Sequence, residues 1–259
     1  MGACPEAMPY SLSTKIPIAN TEKYLRPSLR YFLSCLFSKK YGSMENDRFI
    51  VKEFSIMHKY ITIFDFETSG LSPEKDRVIE IAAIRCKGDQ VVSEFSTLVQ
   101  FDGVLSPKIV ELTGIQQEDL QHGLSEDTAF RILNRFLTDS LLIAHNAAFD
   151  LAFLHNGLMR LANRSFNNSF IDTLTIGRDI LYYPYTLKDT CDHYAVTLEG
   201  AHRALNDVYG CWEIYKRFSQ EVDIDSYINK LGYLKKYGPP KWAPSHAQLV
   251  PMENRYRPD

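Results

Sequence analysis

The sequence predicts an α/β domain: a mixed five-stranded sheet, an antiparallel meander followed by parallel strands, flanked by helices. Between Tyr60 and Val99, three runs rich in β-branched and aromatic residues follow one another with short breaks. From Ser106 onward, helical periods alternate with two short apolar strands, the pattern of a sheet covered by helices. With 259 residues, 45% hydrophobic and 24% charged, the chain has room for one large domain with extensions or two small domains.

Residues 1–59 read as an N-terminal extension without sustained period, in which "SLRYFLSCLFSKKYG" forms one short amphipathic helix ended by Gly42. Met44 and Met57 are further candidate translation starts. The domain spans 60–221. "YITIF" is its first strand, and "RVIEIAAIRCKGDQVVSEFSTLVQ" holds two more, with a turn at Lys87-Gly88-Asp89. The second strand carries Val78, Ile79, Ile81 and Ile84; the third alternates through Val92, Phe95, Thr97 and Val99. "SPKIVELTGI" is a helix with Ser106 as N-cap and Pro107 at its first position. "SEDTAFRILNRFL" follows, capped by Ser125, with Ala129, Ile132, Leu133 and Phe136 facing inward. "SLLIAHN" is a buried strand. "AAFDLAFLHNGLMRLA" is a helix with Phe149, Ala152, Phe153 and Leu158 inward. "SFIDTLTIGRDILY" gives a strand and a helix, "TLKDTCDHYAV" a short helix and "AHRALNDVYGCWEIYKRFSQ" a longer one.

Residues 222–259 change character. Five of the twelve prolines fall here (Pro239, Pro240, Pro244, Pro251, Pro258), and there is little helical or strand period. This C-terminal tail is expected to be extended, wrapping the domain or reaching a partner. The net charge of -3 is unevenly spread. Residues 60–221 carry 14 Lys and Arg against 23 Asp and Glu, the first 59 residues 9 against 5, and the tail 6 against 4. An acidic centre repels phosphates unless divalent metal offsets it, whereas basic flanks attract them or simply solvate the surface.

No apolar run approaches a membrane span of roughly 20 residues, so no membrane partner is expected. The first residues lack the basic start and apolar core of a secretory signal, and Glu6 breaks the myristoylation pattern. The five cysteines (Cys4, Cys35, Cys86, Cys191, Cys211) are odd in number, scattered and without a CxxC pair. They are expected to be reduced thiols in the cytoplasm.

The chemistry lies in three acidic elements. In "FDFETSG", Asp65 and Glu67 end an apolar strand at positions i and i+2, which share a face, so both carboxylates can converge on one point. Hard divalent cations take such oxygen ligands, although a solvated strand end is an equally simple reading of this motif alone. In "LLIAHNAAFD", Asp150 sits in the first turn of a helix, either as a charge favoured by the macrodipole or as a third carboxylate aimed at the same sheet edge. In "GAHRALNDVYG", His202 and Asp207 are five residues apart and would diverge if both were mid-helix. With His202 before the helix start, it can swing over a site that Asp207 faces, the place of a general base.

Together these motifs resemble the DEDDh 3′–5′ exonucleases, the DnaQ-like family of the epsilon proofreading subunit of DNA polymerase III. "ELTGIQQEDL" and "YTLKDTCDHYAV" add to the resemblance, which covers roughly 60–220 and neither flank. It implies an RNase H-like fold and hydrolysis with two divalent metal ions, Mg2+ or Mn2+. Asp65, Glu67 and Asp207 would ligate the metals, with Asp65 bridging; Asp150 would contribute directly or through water. His202 would take the proton of the attacking water. Two cations roughly 3.5–4 Å apart would activate the nucleophile and stabilise the leaving 3′-oxygen.

The resemblance also points to Thr68, Leu71, Leu112, Thr113 and Ile115 along the terminal nucleotide. Thr113 stands where proofreading members often carry His, so the flat ring available for stacking is absent. Asn146 either orients a phosphate or caps the following helix. Phe149 either stacks on a base or packs in the core.

The expected partners are therefore nucleic-acid 3′ ends, single-stranded or frayed DNA before RNA, with release of nucleoside monophosphates. RNA 3′-end trimming is the alternative within the same chemistry. An adaptor that binds nucleic acid or protein with dispensable catalysis is the alternative from another class, motivated by the flanks. The tail offers a route to a polymerase, a sliding clamp or another protein; its "AQLVPM" is loosely similar to clamp-binding peptides but lacks their aromatic pair.

Overall fold

The computed structural model describes residues 60–198 and 203–258. The helix expected in the N-terminal extension lies outside them. Strand β1 (Tyr60–Thr68) is the centre of a five-stranded sheet of order β3-β2-β1-β4-β5. It pairs antiparallel with β2 (Val78–Lys87), which pairs antiparallel with β3 (Gln90–Leu98) through a turn at Gly88, φ 58°. On its other side β1 runs parallel to β4 (Ser140–Ala144), and β4 runs parallel to β5 (Phe170–Asp172). This is the mixed sheet that the strand patterns predict.

The helices are α1 (Pro107–Thr113), α2 (Glu126–Leu137), α3 (Ala147–Ala162), α4 (Thr173–Ile180), α5 (Leu187–His193) and α6 (Ala204–Glu221). Their starts follow from local chemistry. Ser106 and Ser125 accept backbone N–H groups of α1 and α2, and Thr186 and Asp189 form a reciprocal capping box on α5. Helix α2 buries Ala129, Phe130, Leu133 and Leu137, whereas Ile132 and Phe136 are half-buried, so its inward face is rotated from the one expected. Phe130 sets that rotation: its ring lies against Gly157 of α3, where an added Cβ would sit 2.3 Å from it.

The alternation of β1 sorts its residues between two cores. Phe64 and Phe66 face α2 and α3, packing with Phe130, Leu133, Leu151 and Leu154. Ile63 faces α6, packing with Val208, Cys211, Trp212 and Phe218. Asp65 and Glu67 share Ile63's parity and so point toward the α6 side.

The C-terminal segment has more structure than its prolines suggest. β6 (Lys230–Leu234) and β7 (Gln248–Met252) pair in parallel, so the "QLVPM" stretch is a strand of the fold. Asn229 exchanges hydrogen bonds with the Phe170 backbone of β5, and Trp242, Ala243 and Ala247 pack on the α2–α3 core. Spacing between prolines hides these short strands from a periodicity reading. Cys86, Cys191 and Cys211 are buried and free. Among the described residues, no helix is long and apolar enough to cross a membrane.

Candidate active site

Asp65 and Glu67 meet Asp207 at the C-terminal end of β1: one carboxylate oxygen from each lies within 4.8 Å of the other two. Strand parity supplies the first two, and the first turn of α6, which begins at Ala204, supplies the third. His202 lies outside the described residues, two positions before that helix start in the chain.

Asp150 arrives from the opposite core. β4 ends at Ala144, and its pairing with β1 stops at Ile63. Beyond that point the Phe66 N–H has no strand partner on this side and donates to Asp150 Oδ1, 3.2 Å away. The first turn of α3 is held in turn by Asp172, whose Oδ1 accepts the Ala147 and Leu174 N–H groups and whose Oδ2 accepts the Thr175 hydroxyl. Asn146, in the cap position with φ 65°, makes no side-chain cap bond; Asp172 does that work, and Asn146 is left exposed.

Two further residues build the site. Glu80 of β2 stands opposite Glu67 in the β1–β2 register. It is only 2% exposed, accepts from the Arg203 guanidinium at 2.9 Å and from the Ala204 N–H at 3.2 Å. It thus anchors the start of α6, three residues before Asp207. Its signal in the sequence is an acid inside the apolar run "RVIEIAAI". Arg203 was hidden beside the more conspicuous His202.

The acids are not comfortable together. Burial, then Asp150, Glu67 and Asp207, hold the Asp65 carboxyl well above the usual carboxylate range. Burial, then Asp207 and Glu80, push Glu67 up to about 8, with Arg203 pulling the other way. Burial also raises Asp150, although the Phe66 N–H opposes it. Clustered oxygen donors whose charges repel one another are what a hard divalent cation compensates. The donor set therefore fits divalent metal, which Asp65, Glu67 and Asp207 would hold.

The expected substrate-lining residues divide. Leu71 is 82% exposed and Leu112 47% exposed. Thr68 is buried and donates to the Gly70 carbonyl. Thr113 and Ile115 are buried as well: the Thr113 hydroxyl donates to the Ile109 carbonyl and accepts the Ile115 N–H, and Ile115 packs with Ile79, Leu105 and Leu120. Phe149 is half-buried, its ring 4.9 Å from Phe153.

A mixed sheet that gathers acids from its central strand and from helices on both faces is the build of a DnaQ-like nuclease domain. Residues 62–215 match the exonuclease family RNase_T, and the chain belongs to that family, of the DEDD kind. It is 34% identical over 175 residues to the PolC-type DNA polymerase III of Thermotoga maritima, a match covering 67% of this chain and 13% of the polymerase. The PolC-type enzyme of Pediococcus pentosaceus is 31% identical over 201 residues, 74% of this chain and 14% of that one. The chain thus spans only about a seventh of these relatives' length. Among solved structures, E. coli exonuclease I in complex with a dT13 oligonucleotide superposes with a TM-score of 0.56 at 21% identity, covering 61% of this chain and 40% of that one. The zinc-bound E. coli exonuclease I–single-stranded DNA complex gives 0.58 at 21% identity, covering 63% and 41%. These two share the fold.

Proposed function

We propose that this chain is a DEDDh-type 3′–5′ exonuclease that removes nucleoside monophosphates from single-stranded or frayed DNA 3′ ends. The observation that carries the reading is the convergence of Asp65, Glu67 and Asp207 at the end of β1. The PolC-type relatives and the oligonucleotide bound to exonuclease I favour DNA as the polymer.

In this mechanism Asp65, Glu67 and Asp207 would hold two divalent cations, Mg2+ or Mn2+, which would lower the pKa of the attacking water and offset charge on the leaving 3′-oxygen. Asp150 keeps the end of β1 fixed through the Phe66 N–H, so that Asp65 and Glu67 stay aligned. His202 takes the proton from water as its oxygen attacks the terminal phosphorus. The P–O3′ bond breaks, the leaving 3′-oxygen takes a proton from solvent water to become the 3′-hydroxyl of the shortened strand, and a nucleoside monophosphate is released. Leu71 and Leu112 present apolar surface to the terminal nucleotide. The free cysteines suit a reducing, cytoplasmic setting.

Digestion of matched 5′-labelled single-stranded DNA and RNA oligonucleotides with Mg2+, Mn2+ or EDTA tests this. The reading requires a ladder shortening from the 3′ end, faster on DNA and absent with EDTA. Faster RNA digestion would make the chain a trimming exoribonuclease. No ladder on either polymer, from folded protein, would leave an adaptor.

A further inference from the structure

The end of the sheet that carries the carboxylates continues into a patch of exposed aromatic rings and cations. Register sets its level. β1 and β4 pair in parallel at Ile63 and Ile143, so Asp65 and His145, each two residues further on, stand at the same height and share the α6 side. The contacts of His145 agree: its Nδ1 meets the Thr173 hydroxyl at 3.0 Å, and that hydroxyl lies 3.7 Å from Cys211 Sγ of α6. His145 Nε2 meets the Tyr185 carbonyl at 3.0 Å. The loop 181–186, between α4 and α5, is therefore seated at the carboxylate end of the sheet by a side-chain contact.

The C-terminal segment closes onto this loop from outside. The Tyr183 N–H donates to the Arg255 carbonyl at 2.7 Å. The Tyr185 hydroxyl accepts the Arg255 N–H at 2.7 Å and donates to the Arg255 carbonyl at 3.2 Å. The Arg255 guanidinium donates to the Asp179 carbonyl and lies 5.5 Å from the Tyr182 ring centroid. The Tyr183 and Tyr256 rings are 5.7 Å apart. The turn after β6 reaches the same place: Lys236 Nζ lies 4.6 Å from the Tyr237 ring centroid. The Tyr237 hydroxyl holds the Lys236 ammonium above its usual range, and Tyr256 and Tyr183 act in the same direction.

The patch chemistry selects the occupant. Tyr182, Tyr183, Tyr237 and Tyr256 are 42%, 53%, 76% and 65% exposed, yet their backbone is tied down. Among the described residues neither Lys236 nor Arg255 is paired with a carboxylate. The acids nearby are already engaged: Glu253 pairs with Lys235 at 2.7 Å, and the Asp179 carboxylate accepts the Tyr227 hydroxyl. An acidic peptide would satisfy the cations and leave the rings bare. A polymer that alternates phosphates with flat bases uses both. Resting on the exonuclease reading, we propose that this patch is an accessory track for single-stranded DNA, holding the strand upstream of the 3′ end that the carboxylates cut. Tyr237 and Tyr256 stack on bases, and Lys236 and Arg255 face phosphates. All four lie outside residues 62–215, the segment that matches the exonuclease family.

The test has two parts, both on the full chain. Fluorescence anisotropy in EDTA gives Kd for a 5′-fluorescein-labelled oligothymidylate of about 15 nucleotides, the upper end of one binding module's footprint. Digestion with Mg2+ gives KM for the same oligonucleotide and for a thymidine dinucleotide, which is too short to leave the carboxylates. Tyr237→Ala and Tyr256→Ala each raise Kd about tenfold, the scale of one stacked base. The ratio of dinucleotide KM to oligonucleotide KM exceeds one in wild type and falls toward one in these variants. Lys236→Ala lowers the slope of log Kd against log salt by about 0.7, one phosphate contact on a single strand. Its side chain is fully exposed, so it keeps the test alive if the tyrosine variants fail to fold. Unchanged Kd in the folded tyrosine variants would overturn the inference, as would an unchanged salt slope in Lys236→Ala should neither fold. A glutamate polymer of equal length that competes as well as DNA would also overturn it. Tyrosine-dependent binding by folded wild type that digests neither substrate would uphold the track and overturn the exonuclease reading instead.

Discussion

Glu67 and Glu80 stand directly opposite each other in the β1–β2 ladder, two acids paired across strands where like charges repel. The pair persists because each acid has a different counterpart. Glu80 is bound by Arg203 and the Ala204 N–H, while Glu67 turns to Asp65 and Asp207. Glu80 is therefore a positioning residue for Asp207. Glu80→Gln is expected to destabilise the protein by about 1–2 kcal/mol in urea denaturation, the scale of a buried charged hydrogen bond lost. It should also raise the Mg2+ concentration for half-maximal activity several-fold, an effect that loss of stability alone would not produce.

The acids should be costly without metal. Asp65→Asn puts a neutral amide where burial, then the neighbouring acids, hold a carboxyl well above its usual range and make its ionised form costly. Metal-free Asp65→Asn protein should melt higher than metal-free wild type, at about 2–4 °C per kcal/mol of repulsion relieved for a chain of this size. Added Mn2+ should raise the melting temperature of wild type and leave the variant unchanged. Differential scanning calorimetry of both proteins in EDTA and in Mn2+ reads this directly.

The same repulsion sets a pH dependence. Glu67 titrates at about 8 in the fold against an ordinary 4.5, so the folded protein binds its proton more tightly than the unfolded chain does. Its contribution is fully present below pH 4.5 and is lost as pH rises toward 8. Metal-free stability should therefore carry a falling component across that window, which Glu67→Gln removes. Urea midpoints at half-unit pH steps, wild type minus variant, isolate the component; a flat difference would contradict it.

Asp172 should matter more for stability than any of the site acids. Its carboxylate holds the first turn of α3 and its own helix α4 through the N–H groups of Ala147 and Leu174 and the Thr175 hydroxyl. Asp172→Ala leaves these buried donors without an acceptor, at about 1–3 kcal/mol for each unsatisfied group. A loss of about 3 kcal/mol or more in chemical denaturation is expected. Activity should fall even where the variant is folded, because Asp150 sits on that first turn.

Much of this arrangement is legible in the chain because it depends on local rules. The i, i+2 spacing of Asp65 and Glu67 fixes their shared face, and the Ser106 and Ser125 caps fix where two helices begin. What escapes is what depends on packing between distant segments. The face of α2 turns on Phe130 meeting Gly157, the buried end of "LTGI" on a satellite core around Leu120, and the role of Glu80 on a helix more than 120 residues away. The short strands β6 and β7 pair with each other, tied to β5 through Asn229 and covered by packing on the α2–α3 core. Their own sequence lacks the period that would announce them.

The tail should accordingly be part of the folding unit. Deleting residues 235–259 removes β7 and the packing of Trp242, Ala243 and Ala247. Burying such side chains is worth about 1.5–3 kcal/mol for a large one. The truncated chain should unfold several kcal/mol more easily in urea, whereas a tail that served only to dock a partner would leave the midpoint unchanged.

The most direct test of the central claim is calorimetric titration of Mn2+ into metal-free protein, run beside 3′-end digestion of the same samples. Wild type should bind Mn2+ and digest a 5′-labelled single strand from its 3′ end, and Asp65→Asn should do neither while remaining folded. Folded wild type that binds no Mn2+, or Asp65→Asn protein that digests at the wild-type rate, would contradict the assignment of these carboxylates as the catalytic centre.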